Sequence, residues 1–287
     1  MDKATSGWLN GFMGVVIFSG SLPATRVAVA ELPPVFLTSA RACIAAILGL
    51  LLLALFRQPR PRVPDLPALA ITALGVVVGF PLLTALALQH VTSAHAMVFL
   101  GLLPLCTALF AVLRGGESPR PAFWLFSVLG GVFVAGYAAR QGLSASLHGD
   151  LLMLAAILVC GLGYAEGANL SRRLGGWQVI SWALALSLPI MLPIALLTVP
   201  ADLAHVSTPA WTGLAYVSLF SMLLGFVFWY RGLAQGGIAA VGQLQLLQPF
   251  MGLGLAALLL HEQVSWGMVL VTMAAVVCVA GAKKYAR

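Results

Sequence analysis

Three glutamines and a proline interrupt the apolar stretch 238–260: Gln243, Gln245, Gln248 and Pro249, in "GQLQLLQPFMG" (242–252). An amide buried among apolar groups without a partner is costly. At least one face of the stretch must therefore meet a polar helix or water. At about 100° per residue, Gln245 and Gln248 share a helix face and Gln243 points elsewhere. Two readings are open. The amides bond to neighbouring helices, or they wall a cavity and hold an amino or carboxyl group through neutral donors and acceptors.

Ionisable groups inside apolar segments are few, and each is a functional candidate by default. Arg41 either snorkels or caps carbonyls, or it forms a positive wall that draws a substrate carboxylate. Glu166 either pairs with Arg172, Arg173 or Arg231, or couples protons. His95 either sits at a helix interface or donates into a cavity. His90, His148, His205 and His261 fall in loops. Glu117 and Glu262 stand at segment ends, where a carboxylate caps the N-terminus of the next helix. Trp229 and Tyr230 end one segment, as an interfacial aromatic belt does, or turn inward.

Phe18, Ser19, Phe80, Phe99 and Tyr164 lie deep in apolar segments. With Trp229, His95, Gln245 and Gln248, they make an aromatic-rich set with a few neutral polar groups. Such a set suits a small amphipathic substrate. A phosphate calls for converging Lys or Arg, and the membrane core offers only Arg41. Catalytic patterns are missing: no H-E-x-x-H, no pair of intramembrane aspartates, no nucleophile with a base at useful spacing. Cys43, Cys106, Cys160 and Cys278 have no metal spacing and read as small buried residues. The sequence implies neither a cofactor nor an enzyme. Nor does it carry the charge ring or carbonyl filter of a channel.

The elements that must position these residues follow from composition. The chain has 287 residues, 61% hydrophobic and 8% charged, with mean hydropathy +1.02. A soluble domain carries about 25% charged residues, so lipid must cover most of this surface. Spanning segments need ~20 apolar residues if helical, and lipid admits only helices or closed barrels. Runs such as "CIAAILGLLLLALF" (43–56) do not alternate as barrel strands do. The expected fold is an all-α polytopic membrane protein. Spans are expected near 7–27, 35–56, 66–88, 93–113, 121–139, 149–170, 177–197, 209–231, 238–260 and 265–282. The stretch 7–25 reads as the first span and not as a signal peptide, because it has only Lys3 as basic flank and no cleavage site.

With the N-terminus inside, twelve of the fifteen Lys and Arg fall on the cytoplasmic side: Lys3, Arg57, Arg60, Arg62, Arg114, Arg120, Arg172, Arg173, Arg231, Lys283, Lys284 and Arg287. Arg26 and Arg140 fall outside. This asymmetry is the positive-inside pattern. It puts both termini in the cytoplasm and accounts for the net charge of +7 without nucleic acid. Every connection is short, the longest basic one being "RQPRPRVPD" (57–65), so there is no room for an ATPase module.

The sequence also repeats itself. An offset of 145 residues aligns "LTALALQHVTSAHAMVFLGLLPLCTALFAVLRGGES" (83–118) with "FWYRGLAQGGIAAVGQLQLLQPFMGLGLAALLLHEQ" (228–263). Pro104 meets Pro249, Glu117 meets Glu262, and Ala135-Gly136 meets Ala280-Gly281. Five spans per half is odd, so the second half lies inverted in the membrane, a recurrent transporter architecture with a midplane site. Pro104 and Pro249 each remove a backbone donor and can kink their helices, as paired gate or hinge elements. Gly75-x-x-x-Gly79 and Gly163-x-x-x-Gly167 permit close helix packing.

The small "SG" of the first span, Arg41 in the second, and the two P-x(12)-E blocks (Pro104 to Glu117, Pro249 to Glu262) carry a family resemblance. The chain resembles the drug/metabolite transporter superfamily in its EamA-like branch. With "GDLLMLAAILVCGLGYAEGANLSRR" (149–173), it is most similar to bacterial aromatic amino-acid exporters. The resemblance covers essentially the whole chain. It implies ten helices as a 5+5 inverted repeat (1–141 and 147–287) around a central cavity, and export across the bacterial inner membrane. The family often has Trp-Gly in the first span, where this chain has Ser19-Gly20.

Overall fold

A computed structural model describes residues 2–91, 96, 99–140, 146–260 and 266–286. All regular structure among them is helical. The elements are α1 (Lys3–Val29), α2 (Pro34–Leu55), α3 (Val63–Ala87), α4 (Leu103–Gly115), α5 (Pro121–Arg140), α6 (Leu147–Leu174), α7 (Gly176–Leu197), α8 (Thr208–Gly236), α9 (Ile238–Gly242), a 3-10 turn (Gln243–Leu247), α10 (Gln248–Leu260) and α11 (Trp266–Tyr285). Among the described residues six helices are long and apolar enough to cross a membrane: α1, α2, α3, α6, α7 and α8. The single helix expected at 238–260 is instead two helices joined by a 3-10 turn. His148, expected in a loop, lies in the first turn of α6, whose start Ser146 caps by accepting from the Gly149 N–H at 3.2 Å.

Helices gain little from hydrophobicity when they meet in lipid, so close backbone approach at small residues has to hold them. The contact of α1 with α8 is of this kind. Gly7 lies on Gly236, Gly11 on Gly232 and Gly14 on Trp229, an antiparallel register. A Cβ on Gly232 would stand 2.5 Å from the Gly11 nitrogen. Likewise a Cβ on Gly75 of α3 would come within 3.0 Å of the Gly163 Cα of α6. Outward side chains such as Leu51, Leu55, Leu197 and Val277 are exposed, as a lipid-facing surface requires.

The start of α1 and the finish of α11 lie at the same end. Lys283 Nζ lies 4.5 Å over the Trp8 ring, and the Arg120 N–H donates to the Tyr285 carbonyl at 3.1 Å. At the other end, Glu31 accepts from Ser207, and the rings of His90 and His148 meet edge to face at 4.8 Å.

Helix boundaries recur along the chain. α4 and α10 start 145 residues apart. Each of α3 and α8 contains a π-helical stretch, Ala73–Gly79 and Val217–Leu224, and these also end 145 residues apart. Both expected kinks take another form. Pro104 and Pro249 sit in the first turn of α4 and α10, where a missing N–H costs nothing. Each follows an irregular turn, at Gly101–Leu102 and at Gln243–Leu247.

Candidate functional site

Three local irregularities open a cavity. Pro23 has no N–H to offer the Ser19 carbonyl, and α1 breaks at Gly20. The Tyr216 hydroxyl fills the break by donating to the Ile17 carbonyl at 2.7 Å. The π stretches of α3 and α8 widen those helices on the same side, as such bulges often do at functional sites. The resulting cavity, ≈ 70 Å³, lies between α1, α2, α3, α4, α6, α8 and α10. Its apolar wall includes Phe18, Val76, Phe80, Leu103 and Phe226, and its polar groups are Ser21, Thr25, Arg41, Thr84, Tyr164, Ser221 and Gln248.

Aromatic rings pack together on one side, Phe18, Tyr164 and Phe226 at the wall and Trp229 behind it. Phe18 packs edge-on to Phe226 at 5.1 Å and to Trp229 at 6.1 Å, and Tyr164 packs edge-on to Trp229 at 5.4 Å. Such edge-to-face pairs fix ring orientation as well as fill space. The Gln245 amide donates to the Tyr164 hydroxyl at 3.2 Å, and Gln248 donates to the Phe18 carbonyl at 3.4 Å. Arg41 Nη2 donates to Ser221 Oγ at 3.3 Å, and Ser21 Oγ donates to the same oxygen at 2.8 Å.

Toward the end that holds the termini, a polar layer closes the bundle. The Glu117 carboxylate accepts from the Ile238 N–H at 2.8 Å and the Ala239 N–H at 2.9 Å. Gly237, at φ +97°, makes the left-handed turn that aims those two groups at it. Arg172 pairs with Glu117 at 2.9 Å, Arg114 with Glu166 at 2.5 Å, and Arg173 with Asp65.

The sequence pattern of the EamA-like transporter family matches residues 5–138 and again residues 147–282. This chain belongs to the EamA-like transporter family. The transporter is similar over its whole length to the "Uncharacterized transporter YdeK" of Bacillus subtilis, at 65% identity across 287 residues and 100% of both chains. It is 22% identical to an "Uncharacterized transporter" of Archaeoglobus fulgidus over 87% of each chain. A solved structure titled "Crystal structure of protein" shares its fold, with TM-score 0.79 at 19% identity over 97% of this chain and 96% of that one.

In the transporter's structure the residues singled out from sequence fall into three groups. Phe80, Tyr164 and Gln248 line the cavity. Gln245 and Trp229 lie behind it against Tyr164, Ser19 turns its hydroxyl onto the Val15 carbonyl at 2.7 Å, and Phe99 packs with the buried core. His95, His261 and Glu262 lie outside the described residues.

Several readings are corrected. Trp229 and Tyr230 are not an interfacial belt, since both are 0% exposed. Glu166 pairs with Arg114 of α4 and not with Arg172, Arg173 or Arg231, because α4 packs along α6 at that level. Glu117 caps α9 and not the helix that follows it, because Gly116 ends α4 in the left-handed region and turns the chain away. Gln243–Leu247 is a 3-10 turn, about 120° per residue, so the 100° spacing does not apply to its glutamines. Gln243 is fully buried, with no hydrogen-bond partner for its amide among the described residues.

Sequence reasoning missed Ser221, Phe226, Leu103 and Thr84. A signal existed for three of them. Val76 and Ser221, Pro81 and Phe226, and Leu103 and Gln248 are pairs at the 145-residue offset, and all six line the cavity. The Gly7-x-x-x-Gly11 and Gly232-x-x-x-Gly236 spacings likewise mark the α1–α8 contact.

Proposed function

We propose that the transporter exports hydrophobic, especially aromatic, amino acids across the bacterial inner membrane by alternating access. The observation that carries this reading is the cavity itself. Phe18, Phe80, Tyr164 and Phe226 offer ring faces and edges, and Gln248, Ser21 and Thr84 offer neutral polar contacts. That combination fits a flat apolar side chain joined to a small polar head. A cavity of ≈ 70 Å³ has room for a few waters. Tryptophan requires the walls to part, as alternating access does.

The recurrence of helix boundaries at 145 residues supports ten helices in a 5+5 inverted repeat, two copies of one machine facing opposite ways. The charge asymmetry supports cytoplasmic termini. The polar layer at Glu117, Arg172, Glu166 and Arg114 then closes the cytoplasmic side, and the cavity lies on the opposite side of it.

A multidrug exporter of organic cations is the second reading. It calls for a carboxylate in the cavity. Glu166 is held by Arg114 and does not line the cavity, which favours the amino-acid reading. Substrate competition in proteoliposomes tests the choice. Phenylalanine and tryptophan should compete with each other's flux while tetraphenylphosphonium does not. Flux no greater than in empty liposomes for both amino acids would overturn the proposal.

A further inference from the structure

The cavity contains a charge with no carboxylate partner among the described residues. Arg41 is 7% exposed, in the second turn of α2, and its side chain reaches the cavity. An isolated ion in an apolar setting is strongly disfavoured unless something pairs with it. No carboxylate among the described residues does so. Glu166 goes to Arg114, Glu117 to Arg172, Asp65 to Arg173 and Glu31 to Ser207. Arg41 donates instead to one neutral hydroxyl, Ser221 Oγ, at 3.3 Å, and its Nε–H has no partner among the described residues. Neither structural alternative fits. The buried head group does not snorkel, and among the described residues it caps no backbone carbonyl.

We propose that Arg41 is an anion anchor: it binds the carboxylate of the transported molecule, so that a carboxylate is a requirement of the substrate. This rests on reading the cavity as the transport site. The guanidinium offers its Nε and Nη2 edge as a fork that matches a carboxylate in two parallel bonds. Ser221 yields its weak bond at Nη2 and stays beside the anion with Ser21. Thr84 Oγ1, on the same cavity and also without a partner among the described residues, supplies a further donor. One guanidinium balances one carboxylate. A dianion leaves an unpaired negative charge, and an aromatic amine brings a second positive charge to an uncompensated one.

The experiment uses the full chain in proteoliposomes carrying labelled phenylalanine, with three competitors: phenylalanine, 3-phenylpropionate and phenethylamine. On the wild type, 3-phenylpropionate should compete at least about tenfold better than phenethylamine, as expected for a charge-assisted pair. In Arg41→Gln the KM for phenylalanine should rise about tenfold or more, with the preference for 3-phenylpropionate gone, and Arg41→Lys should recover part of it. If Arg41→Gln does not fold, Thr84→Val and Ser221→Ala should each weaken 3-phenylpropionate more than phenethylamine. Equal competition by the acid and the amine on the wild type, or an unchanged KM in folded Arg41→Gln, overturns the anchor. Those results leave aromatic amino-acid transport intact. If phenylalanine is not carried but a short aliphatic 2-oxo acid is, with Arg41 required, the aromatic reading falls and the anchor stands.

Discussion

Glu117, just past the end of α4, holds the start of α9: its two carboxylate oxygens accept from the N–H groups of Ile238 and Ala239, at 2.8 and 2.9 Å. Glu117 and Ile238 are 121 positions apart in the chain. A carboxylate here satisfies two of the free donors of a helix start and meets the positive end of its dipole. It also ties one half of the chain to the other at the end where the termini lie.

Glu117→Ala should therefore lower unfolding stability by about 1–2 kcal/mol, the range for losing a helix cap. Glu117→Gln should cost less, because the amide oxygen still accepts one bond. Arg172→Gln should change stability by no more than ~1 kcal/mol, since Arg172 is partly exposed. Thermal unfolding of the purified variants orders the three. Equal losses for Ala and Arg172→Gln would mean that the ion pair matters and the cap does not.

The pair Arg114–Glu166 should respond unequally to its two deletions. The Glu166 side chain is 8% exposed and Arg114 is 51% exposed. Arg114→Ala leaves a carboxylate buried without its cation and should cost roughly 1–3 kcal/mol, reduced from the fully buried range by the solvent around Arg114. Glu166→Gln removes the buried charge and should cost less. Phenylalanine flux in Glu166→Gln should stay within about twofold of wild type. A loss of flux with normal folding would return Glu166 to the transport chemistry.

The α1–α8 contact should tolerate no side chain at its centre. Gly232→Val pushes Cβ and its methyls into the Gly11 backbone and should abolish recovery of folded protein from detergent. Gly136→Ala is the control, because nothing lies within 4 Å of a Cβ there. It should be neutral or stabilise by up to about 1 kcal/mol through helix propensity. Size-exclusion profiles of the two variants make the comparison.

One loop link should depend on acid. Glu31 accepts from both the hydroxyl and the N–H of Ser207, and these bonds hold its carboxyl below its usual value of 4.5. The folded value is the lower one, so the link stabilises fully above the usual value and is lost as pH falls through the folded one. Unfolding midpoints taken between pH 3 and 6 should show Glu31→Gln losing part of the acid-side slope of the wild type. Identical slopes would mean the link contributes nothing.

Much of the architecture was legible because lipid imposes simple rules. Charge-poor runs mark spans, and the P-x(12)-E blocks mark a repeat. The repeat then held information that residue-by-residue reading did not use, since Val76 implies Ser221 and Pro81 implies Phe226 at the cavity. The departures lie where helices stop being α-helical. A π stretch in α8 and a 3-10 turn before Gln248 rotate every later side chain relative to a regular helix, and no residue type announces either. Glu166 was misassigned because sequence proximity to Arg172 and Arg173 cannot weigh against Arg114 on a neighbouring helix. Arg41 stood out from the start, but only the structure shows that its head group lacks a carboxylate partner among the described residues.

The most direct test of the account places a block in the cavity and watches flux. Val76 lies on the wall contributed by the π stretch of α3, is 1% exposed, and has Gly163 of α6 behind it. Labelled phenylalanine counterflow should exceed that of empty liposomes for the wild type and fall to that background for folded Val76→Trp. No phenylalanine counterflow by the wild type, or undiminished counterflow through Val76→Trp, would contradict aromatic amino-acid transport through this cavity.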